Sequence, residues 1–216
     1  MDTKTRQIIK TLNKIGVDTR YISFYQNTIY INNLKFSKFS RKKEDTFHET
    51  YPQIPIIRSK LFQKICIKTS RTLKNQIKPK DHIYTPNTDK PEDILSNIIL
   101  EPYQRKYGIT ITHNDNDENI KYTNNQTLTQ FINQYLNQMI NSQKIEEKKD
   151  QNTIYPLEDI PDEWIYEWIK TTNIKHTTKK RQTQPEIIKI NQFIKKHIPQ
   201  YEQSIKQSVK NLNRDK

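Results

Sequence analysis

The chain has 216 residues and a formal net charge of +13; 32% of its residues are hydrophobic and 28% are charged. This length is enough for one domain with an appendage, and the hydrophobic content excludes a large core. The single cysteine, Cys66, excludes a disulfide framework and gives no support to a zinc or iron–sulfur site. No apolar run reaches the roughly 18 residues of a membrane span, and the start lacks a signal-peptide pattern. We therefore expect a cytoplasmic protein without membrane contact.

The positive charge favours a polyanionic partner, either RNA or DNA. The composition also has no alanine, two glycines and many Ile, Asn and Lys residues. Such a bias is typical of an AT-rich genome, so codon usage accounts for part of the lysine excess. A nucleic-acid partner is the expectation, with codon bias as the alternative source of the charge.

The first 36 residues predict a helix followed by a β-hairpin. Apolar residues recur at helical spacing from Thr3 to Ile15, and Gly16 supplies a helix stop. Residues 21–25 and 28–36 then alternate apolar and polar side chains around a turn at Gln26-Asn27. We predict an αββ segment over 1–36. Residues 37–55 are charged and aperiodic, which indicates a linker or surface loop.

The clearest helical pattern runs from Ile57 to Ile77, where one face is apolar. The opposite face carries four cations at helical spacing: Lys60, Lys64, Lys68 and Arg71. Like charges at this spacing repel one another, and they gain most when an anion lies across them. Two interpretations remain open, a solvated helix face and a contact with a nucleic-acid backbone.

Residues 78–120 predict a strand, a loop, a helix and a second strand, which is the outline of a βαβ unit. Ile83 and Tyr84 form the first strand, and Pro91 begins the helix. Glu92 and Asp93 suit the positive end of that helix. Gly108 breaks the chain before the second strand.

Four further helical patterns follow, at 128–140, 160–169, 185–198 and 201–212. The second of these carries Trp164 and Trp168, which we predict to pack the helix onto the body, with base stacking as the alternative. Before the third lies a basic cluster, Lys179, Lys180 and Arg181. It predicts contact with RNA, and a disordered basic tail is the alternative.

The loop between Tyr84 and Pro91 has the position of a phosphate-binding loop but lacks its chemistry. Such loops are glycine-rich, so that backbone N–H groups converge on the anion. Here no glycine is present, and Pro86 and Pro91 have no N–H to donate. Asp89 and the two acidic residues after Pro91 would repel phosphate, and only Lys90 favours it.

The central stretch resembles the PP-loop, or ATP-pyrophosphatase, proteins that 2-thiolate tRNA, through PKDHIYTPNTDKPEDIL, then QRKYGITI, then DENI. In that family the loop has the sequence Ser-Gly-Gly-Lys-Asp-Ser and binds ATP. Its positions are taken here by Thr88, Asp89, Lys90, Pro91, Glu92 and Asp93. The Asp-Glu step of the family falls on Asp117 and Glu118. The closing helices resemble the family's more loosely.

The departures from the family pattern indicate a catalytically silent relative. Both loop glycines, the zinc-binding cysteines and the catalytic cysteines are absent. The resemblance therefore implies a noncatalytic subunit without a cofactor. It would support tRNA 2-thiolation by binding tRNA and a catalytic PP-loop partner. Whether the chain is an enzyme on other principles stays open, and no constellation of residues supports that hypothesis.

The remaining chemistry favours structural roles. The five histidines are far apart in sequence, and we expect them on the surface or in pairs. Asp115, Asp117 and Glu118 could hold a divalent ion, but a solvated loop is the favoured interpretation, so no metal site is predicted.

The predicted fold class is α/β, with a small, mostly parallel sheet flanked by helices over 56–216, the αββ segment before it and a helical C-terminal end. The competing function is that of a basic RNA- or DNA-binding accessory protein, of the ribosomal or replication type, without an enzymatic role.

Overall fold

The computed structural model describes residues 3–114, 120–143, 150–177, 184–198 and 201–212. The helices within these ranges are α1 (Thr3–Lys14), α2 (Leu34–Ser37), α3 (Arg41–Thr50), α4 (Lys60–Leu73), α5 (Pro91–Leu100), α6 (Tyr103–Tyr107), α7 (Leu128–Ile140), α8 (Asp162–Thr172), α9 (Pro185–His197) and α10 (Tyr201–Leu212). The strands are β1 (Ile22–Tyr25), β2 (Thr28–Ile31), β3 (Ile56–Ile57), β4 (His82–Tyr84), β5 (Thr110–Thr112), β6 (Ile120–Thr123) and β7 (Thr153–Ile154). None of these helices has the length and apolar character needed to cross a bilayer.

The larger sheet has four parallel strands in the order β5-β4-β6-β7. Ile83 of β4 pairs with Ile111 on one side and with Lys121 on the other. The predicted βαβ unit is therefore present, with α5 and α6 between β4 and β5. The fold class predicted from the sequence is confirmed.

The direction of chain progression reverses at β4, because β5 lies on one side of it and β6 on the other. In open parallel sheets, ligands bind outside the carboxyl ends of the strands at such a switch point. The loop that joins β4 to α5 starts at this edge. The topology thus places the β4–α5 loop at the edge of the sheet where ligands of such folds bind.

A smaller sheet holds the predicted hairpin. β1 and β2 are antiparallel, and Gln26 and Asn27 both have positive φ angles, of 45° and 59°. Two such residues suit the tight turn whose twist matches the flanking strands. β3 adds to this sheet in parallel with β2.

The prediction of a linker or loop over 37–55 is wrong for its central part, which forms α3. Ser40 caps this helix by accepting a hydrogen bond from the Lys43 N–H. Phe39 and Phe47 are fully buried and meet edge to face. The helix is otherwise polar, so its stability comes from packing rather than from an apolar stripe. The division of the chain into domains stays a prediction.

Two predicted helices are shorter than their patterns. The pattern over 57–77 becomes a helix only from Lys60 to Leu73, because Ile57 belongs to β3 and Ser59 caps the helix. The pattern that runs from Pro91 to Tyr103 breaks at Pro102, so that Tyr103 begins a separate helix. Gly108 ends that helix with a φ of 66°, as its position in the sequence predicts.

The main core lies between α4, α5 and α8. Trp168 is fully buried and stacks on Phe62, with ring centroids 4.9 Å apart. Tyr30 of β2 meets the edge of the same tryptophan at 5.7 Å. The predicted packing role of Trp168 is confirmed, whereas Trp164 is only partly buried.

A largely buried ion pair, whose side chains are 12% and 15% exposed, anchors the N-terminal segment to the rest of the chain. Arg105 of α6 pairs with Glu101 and donates hydrogen bonds to the carbonyls of Thr19 and Ile22, at 3.0 and 2.7 Å. Glu101 in turn accepts a 3.1 Å hydrogen bond from the Phe24 N–H. The hairpin is therefore anchored to the segment that follows α5.

Candidate functional site

The loop after β4 leads directly into the first turn of α5, where Pro91 occupies the first helical position. Lys90 is the N-terminal cap residue, but its side chain makes no capping hydrogen bond. The free backbone N–H groups and the helix dipole make such an end favourable for an anion. What the loop can bind therefore depends on which group already lies at these N–H groups.

Two carboxylates of the protein itself, those of Glu92 and Asp93, lie in the first turn of α5. Asp93 is 6% exposed and accepts hydrogen bonds from the Thr88 hydroxyl at 2.5 Å and from Nδ2 of Asn125 at 2.8 Å. Glu92 is equally buried, and the Tyr166 hydroxyl lies 3.4 Å from its Oε1. The Lys90 N–H donates to the Thr88 hydroxyl at 3.2 Å. Negative charge therefore already occupies the first turn.

The loop is also anchored along its length. Asn97 donates from Nδ2 to the Pro86 carbonyl at 2.8 Å, and the Thr177 N–H donates to the Asp89 carbonyl at 2.7 Å. Nδ1 of His113 lies 2.8 Å from the carbonyl of Thr85, which is fully buried. These contacts fix the loop against α5, β5 and the segment after α8.

The loop offers few backbone donors to a nucleotide phosphate. Two of its residues are prolines without an N–H, and the Lys90 N–H is already used. A phosphate at the first turn would meet the buried Asp93 carboxylate, and two like charges in a desolvated site repel by on the order of several kcal/mol. The loop therefore has the strand–loop–helix shape of a phosphate-binding site, but its residues disfavour phosphate.

The four cations predicted on one face of α4 do lie together in the structure. One shallow groove of about 390 Å³ runs along this face, and we call it the α4 groove. It is lined by Lys60, Gln63, Lys64, Ile67, Lys68 and Arg71. No carboxylate is among these six groove residues. Among the described residues, neither Lys60 nor Arg71 has a carboxylate within salt-bridge distance. The structure thus brings the four cations together and leaves the two outer ones uncompensated.

The two inner cations differ from the outer pair. Nζ of Lys64 lies 3.9 Å from the ring centroid of Trp164, which is a close cation–π contact. Lys68 donates from Nζ to the Asp159 carbonyl at 3.1 Å, and burial lowers the pKa of its ammonium group. Lys68 therefore stabilises the packing of α4 on the segment before α8, in addition to its place in the groove.

Several sequence predictions lie outside the described residues. These are the nucleic-acid contacts of Lys179, Lys180 and Arg181 and the alternative ion site at Asp115, Asp117 and Glu118. They stay predictions.

Two residues of the loop network were missed from the sequence, Asn125 and His113. Asn125 follows β6 and His113 follows β5, so both stand at the carboxyl edge of the sheet. Parallel strands bring their carboxyl ends to one edge of the sheet. This rule could have identified both residues from the sequence.

Comparison with known proteins adds two similarities. No family model matches the chain. Over 102 residues, 46% of the chain, it is 29% identical to a probable sulfurtransferase of Methanocaldococcus jannaschii, and the match spans 30% of that relative's length. Its structure aligns with that of the U34-tRNA thiolase NcsA from Methanococcus maripaludis, with a TM-score of 0.53 and 12% identity. The alignment covers 70% of this chain and 78% of the thiolase. The chain has a PP-loop-like fold.

The structure of the PP-loop-like thiolase contains a [4Fe–4S] cluster. Such clusters are usually held by several cysteine thiolates. This chain has one cysteine, Cys66, which is buried in α4, and burial raises the pKa of its thiol. Within the described part of the chain, no three His, Cys, Asp or Glu side chains form a group that could hold a metal ion. The residues present do not fit a cysteine-ligated cluster.

Proposed function

We propose that this chain is a noncatalytic PP-loop-like protein of a tRNA 2-thiolation system. It binds tRNA through the α4 groove, and a separate PP-loop enzyme supplies the ATP-dependent chemistry. The observation that carries the proposal is the position of Asp93, whose carboxylate occupies the first turn of α5 where a catalytic relative would hold phosphate.

Two observations support the involvement of tRNA. The groove has four cations and no carboxylate, which suits a phosphate backbone. The matched relatives are a probable sulfurtransferase and a U34-tRNA thiolase, although the match to the first covers less than a third of that protein. The shared fold supports a common origin with these proteins. The residues of the β4–α5 loop support a loss of ATP binding.

The test combines three measurements on the purified chain with one co-purification experiment. Calorimetry with Mg·ATP is expected to give no heat of binding, and incubation with ATP is expected to release no pyrophosphate. Fluorescence anisotropy with labelled tRNA is expected to show binding that weakens steeply with salt. Co-purification with a PP-loop enzyme that retains its loop glycines is the fourth expected result. ATP hydrolysis by the pure chain overturns the proposal.

A second candidate is a nucleic-acid-binding accessory protein without an enzyme partner. The groove favours it in one respect, because lysine and arginine contacts to phosphates position a nucleic acid without reading its sequence. Equal affinity for tRNA and for an unrelated RNA of the same length, without enzyme co-purification, supports this candidate over the first.

A further inference from the structure

A pocket of about 410 Å³ opens where the N-terminal segment meets α4 and α6. This volume lies within the roughly 300–1,000 Å³ typical of small-ligand sites. Three aromatic residues and three cations contribute to its lining: Tyr21, Phe36, Tyr103, Arg20, Arg71 and Lys106. No Asp or Glu lines it. The pocket thus combines flat apolar surfaces with positive charge.

The aromatic part of the pocket includes one solvent-exposed ring. Phe36 is 52% exposed, and its ring centroid lies 5.2 Å from that of Tyr21. Tyr103 is 8% exposed, and burial raises the pKa of its hydroxyl to about 12, so this ring is neutral at neutral pH. Exposed aromatic rings of this kind are the platforms on which unpaired bases stack.

Two of the three cations have no carboxylate partner among the described residues, and these are Arg71 and Lys106. Nζ of Lys106 lies 5.7 Å from the ring centroid of Tyr21 and 5.6 Å from that of Tyr103. These cation–π contacts hold the ammonium group beside the pocket without neutralising its charge. The third cation, Arg20, is paired with Asp18 at 2.7 Å. The pocket therefore favours an aromatic ligand that carries negative charge.

An amide side chain adds a polar group to the lining. Asn32 is only 7% exposed, and its Oδ1 accepts a 3.0 Å hydrogen bond from the Ser23 hydroxyl. Its NH₂ group has no acceptor in the part of the chain that the structure describes. A donor in the pocket wall can form a hydrogen bond with a ligand, so a ligand acceptor at this point is favourable. Nucleobases carry such acceptors on their edges.

The pocket is continuous with the α4 groove, because Ile67 and Arg71 line both. A backbone that lies along the groove reaches the mouth of the pocket at Arg71. We propose that the pocket binds one unstacked base of a single-stranded RNA segment, whose phosphates lie on the groove. The proposal rests on the proposed function in that both place RNA on α4, and it adds the form in which the RNA is bound.

The test compares two short single-stranded RNAs, one with bases throughout and one in which abasic sugars replace all bases. Phe36→Ala removes the exposed ring of the pocket. Its matched control is Phe193→Ala on α9, since Phe193 is 67% exposed and lies outside the pocket lining. Binding is measured by fluorescence anisotropy at constant salt. Phe36→Ala is expected to weaken binding of the base-containing RNA by about 5-fold to 150-fold and leave the abasic RNA unaffected. Phe193→Ala is expected to change neither affinity.

A cross-linking experiment on the unmodified protein provides a second test. Irradiation with 5-bromouridine RNA is expected to attach a nucleotide to the peptides that contain Tyr21, Phe36 or Tyr103, as identified by mass spectrometry. Cross-links confined to other peptides contradict the pocket assignment.

The outcomes separate the two proposals. If RNA binds with a steep salt dependence but equally to the wild type and to Phe36→Ala, the pocket assignment is wrong and the groove proposal stands. If neither RNA nor tRNA binds the wild type, both proposals fail.

Discussion

Asn125, just beyond the carboxyl end of β6, donates a 2.8 Å hydrogen bond from Nδ2 to Oδ1 of Asp93 in the first turn of α5. The second oxygen of the same carboxylate accepts from Thr88 in the loop. This single side chain thereby links the loop, the helix and the neighbouring strand. The first turn of α5, an end that favours an anion, thus holds an internal structural contact.

The first prediction concerns this contact. Asp93→Asn removes the charge that the helix end favours, so we expect the free energy of unfolding to fall by about 1–3 kcal/mol in urea denaturation. Asp89→Asn is the control, because Asp89 is exposed and we expect a change below about 0.5 kcal/mol. Neither variant is expected to gain ATP binding, since the loop still lacks glycine. Equal stability of the two variants contradicts the structural role of Asp93.

The second prediction concerns the α4 groove. The double variant Lys60→Glu, Arg71→Glu reverses its two uncompensated cations and is expected to weaken tRNA binding. The slope of log affinity against log salt should decrease by about one unit for each phosphate that the variant no longer neutralises. Lys10→Glu, Lys14→Glu on α1 is the control, because it changes the net charge equally at another exposed place. Anisotropy titrations at several salt concentrations measure the effect, and identical slopes for the two double variants rule out the groove.

The third prediction concerns the ion pair that anchors the N-terminal segment. Arg105→Gln leaves Glu101 largely buried without its charge partner, at an expected cost of about 3–5 kcal/mol of unfolding free energy. The matched control is Lys195→Gln, which breaks an exposed pair with Glu163 and is expected to cost less than about 1 kcal/mol. Denaturation of both variants by urea provides the comparison. A smaller loss for Arg105→Gln than for Lys195→Gln would show that the anchor is unimportant.

The fourth prediction concerns the pH dependence of stability. Burial raises the pKa of Glu202 on α10 above its ordinary value of 4.5, and the charges of Asp162 and Glu163 raise it further. The folded state therefore binds a proton more tightly than the unfolded state. Stability falls as the pH rises from 4.5 through the higher folded-state value.

Glu202→Gln removes this loss. Its melting temperature is expected to exceed that of the wild type at pH 7, and the difference should shrink as the pH falls below 4.5. Glu167→Gln on α8 changes an exposed carboxylate and serves as the control. A difference that is the same at both pH values contradicts the assigned cause.

The sequence predicted the βαβ unit because its signals are local. Pro91 begins α5, Gly108 ends α6, and the apolar residues of β4 and β5 stand beside these stops. The helix α3 was missed because Phe47 is the one fully buried residue in an otherwise polar stretch, so no periodic pattern marked it. Its stability depends on packing that only the tertiary structure provides.

The candidate sites were predictable to different extents. The four cations of α4 share one helix face, so their spacing alone placed them together. The partner of Asp93 lies 32 residues further along the chain, and no local pattern connects the two. The pocket joins residues as distant as Arg20 and Lys106, which only the packing of the N-terminal segment brings together.

The proposed function requires that this PP-loop-like chain bind tRNA without using ATP. The most direct measurement is a pair of titrations of the same purified sample, one with Mg·ATP by calorimetry and one with tRNA by anisotropy. We expect no ATP binding and salt-dependent tRNA binding, with tRNA affinity unchanged by excess Mg·ATP. ATP binding accompanied by release of pyrophosphate contradicts the claim.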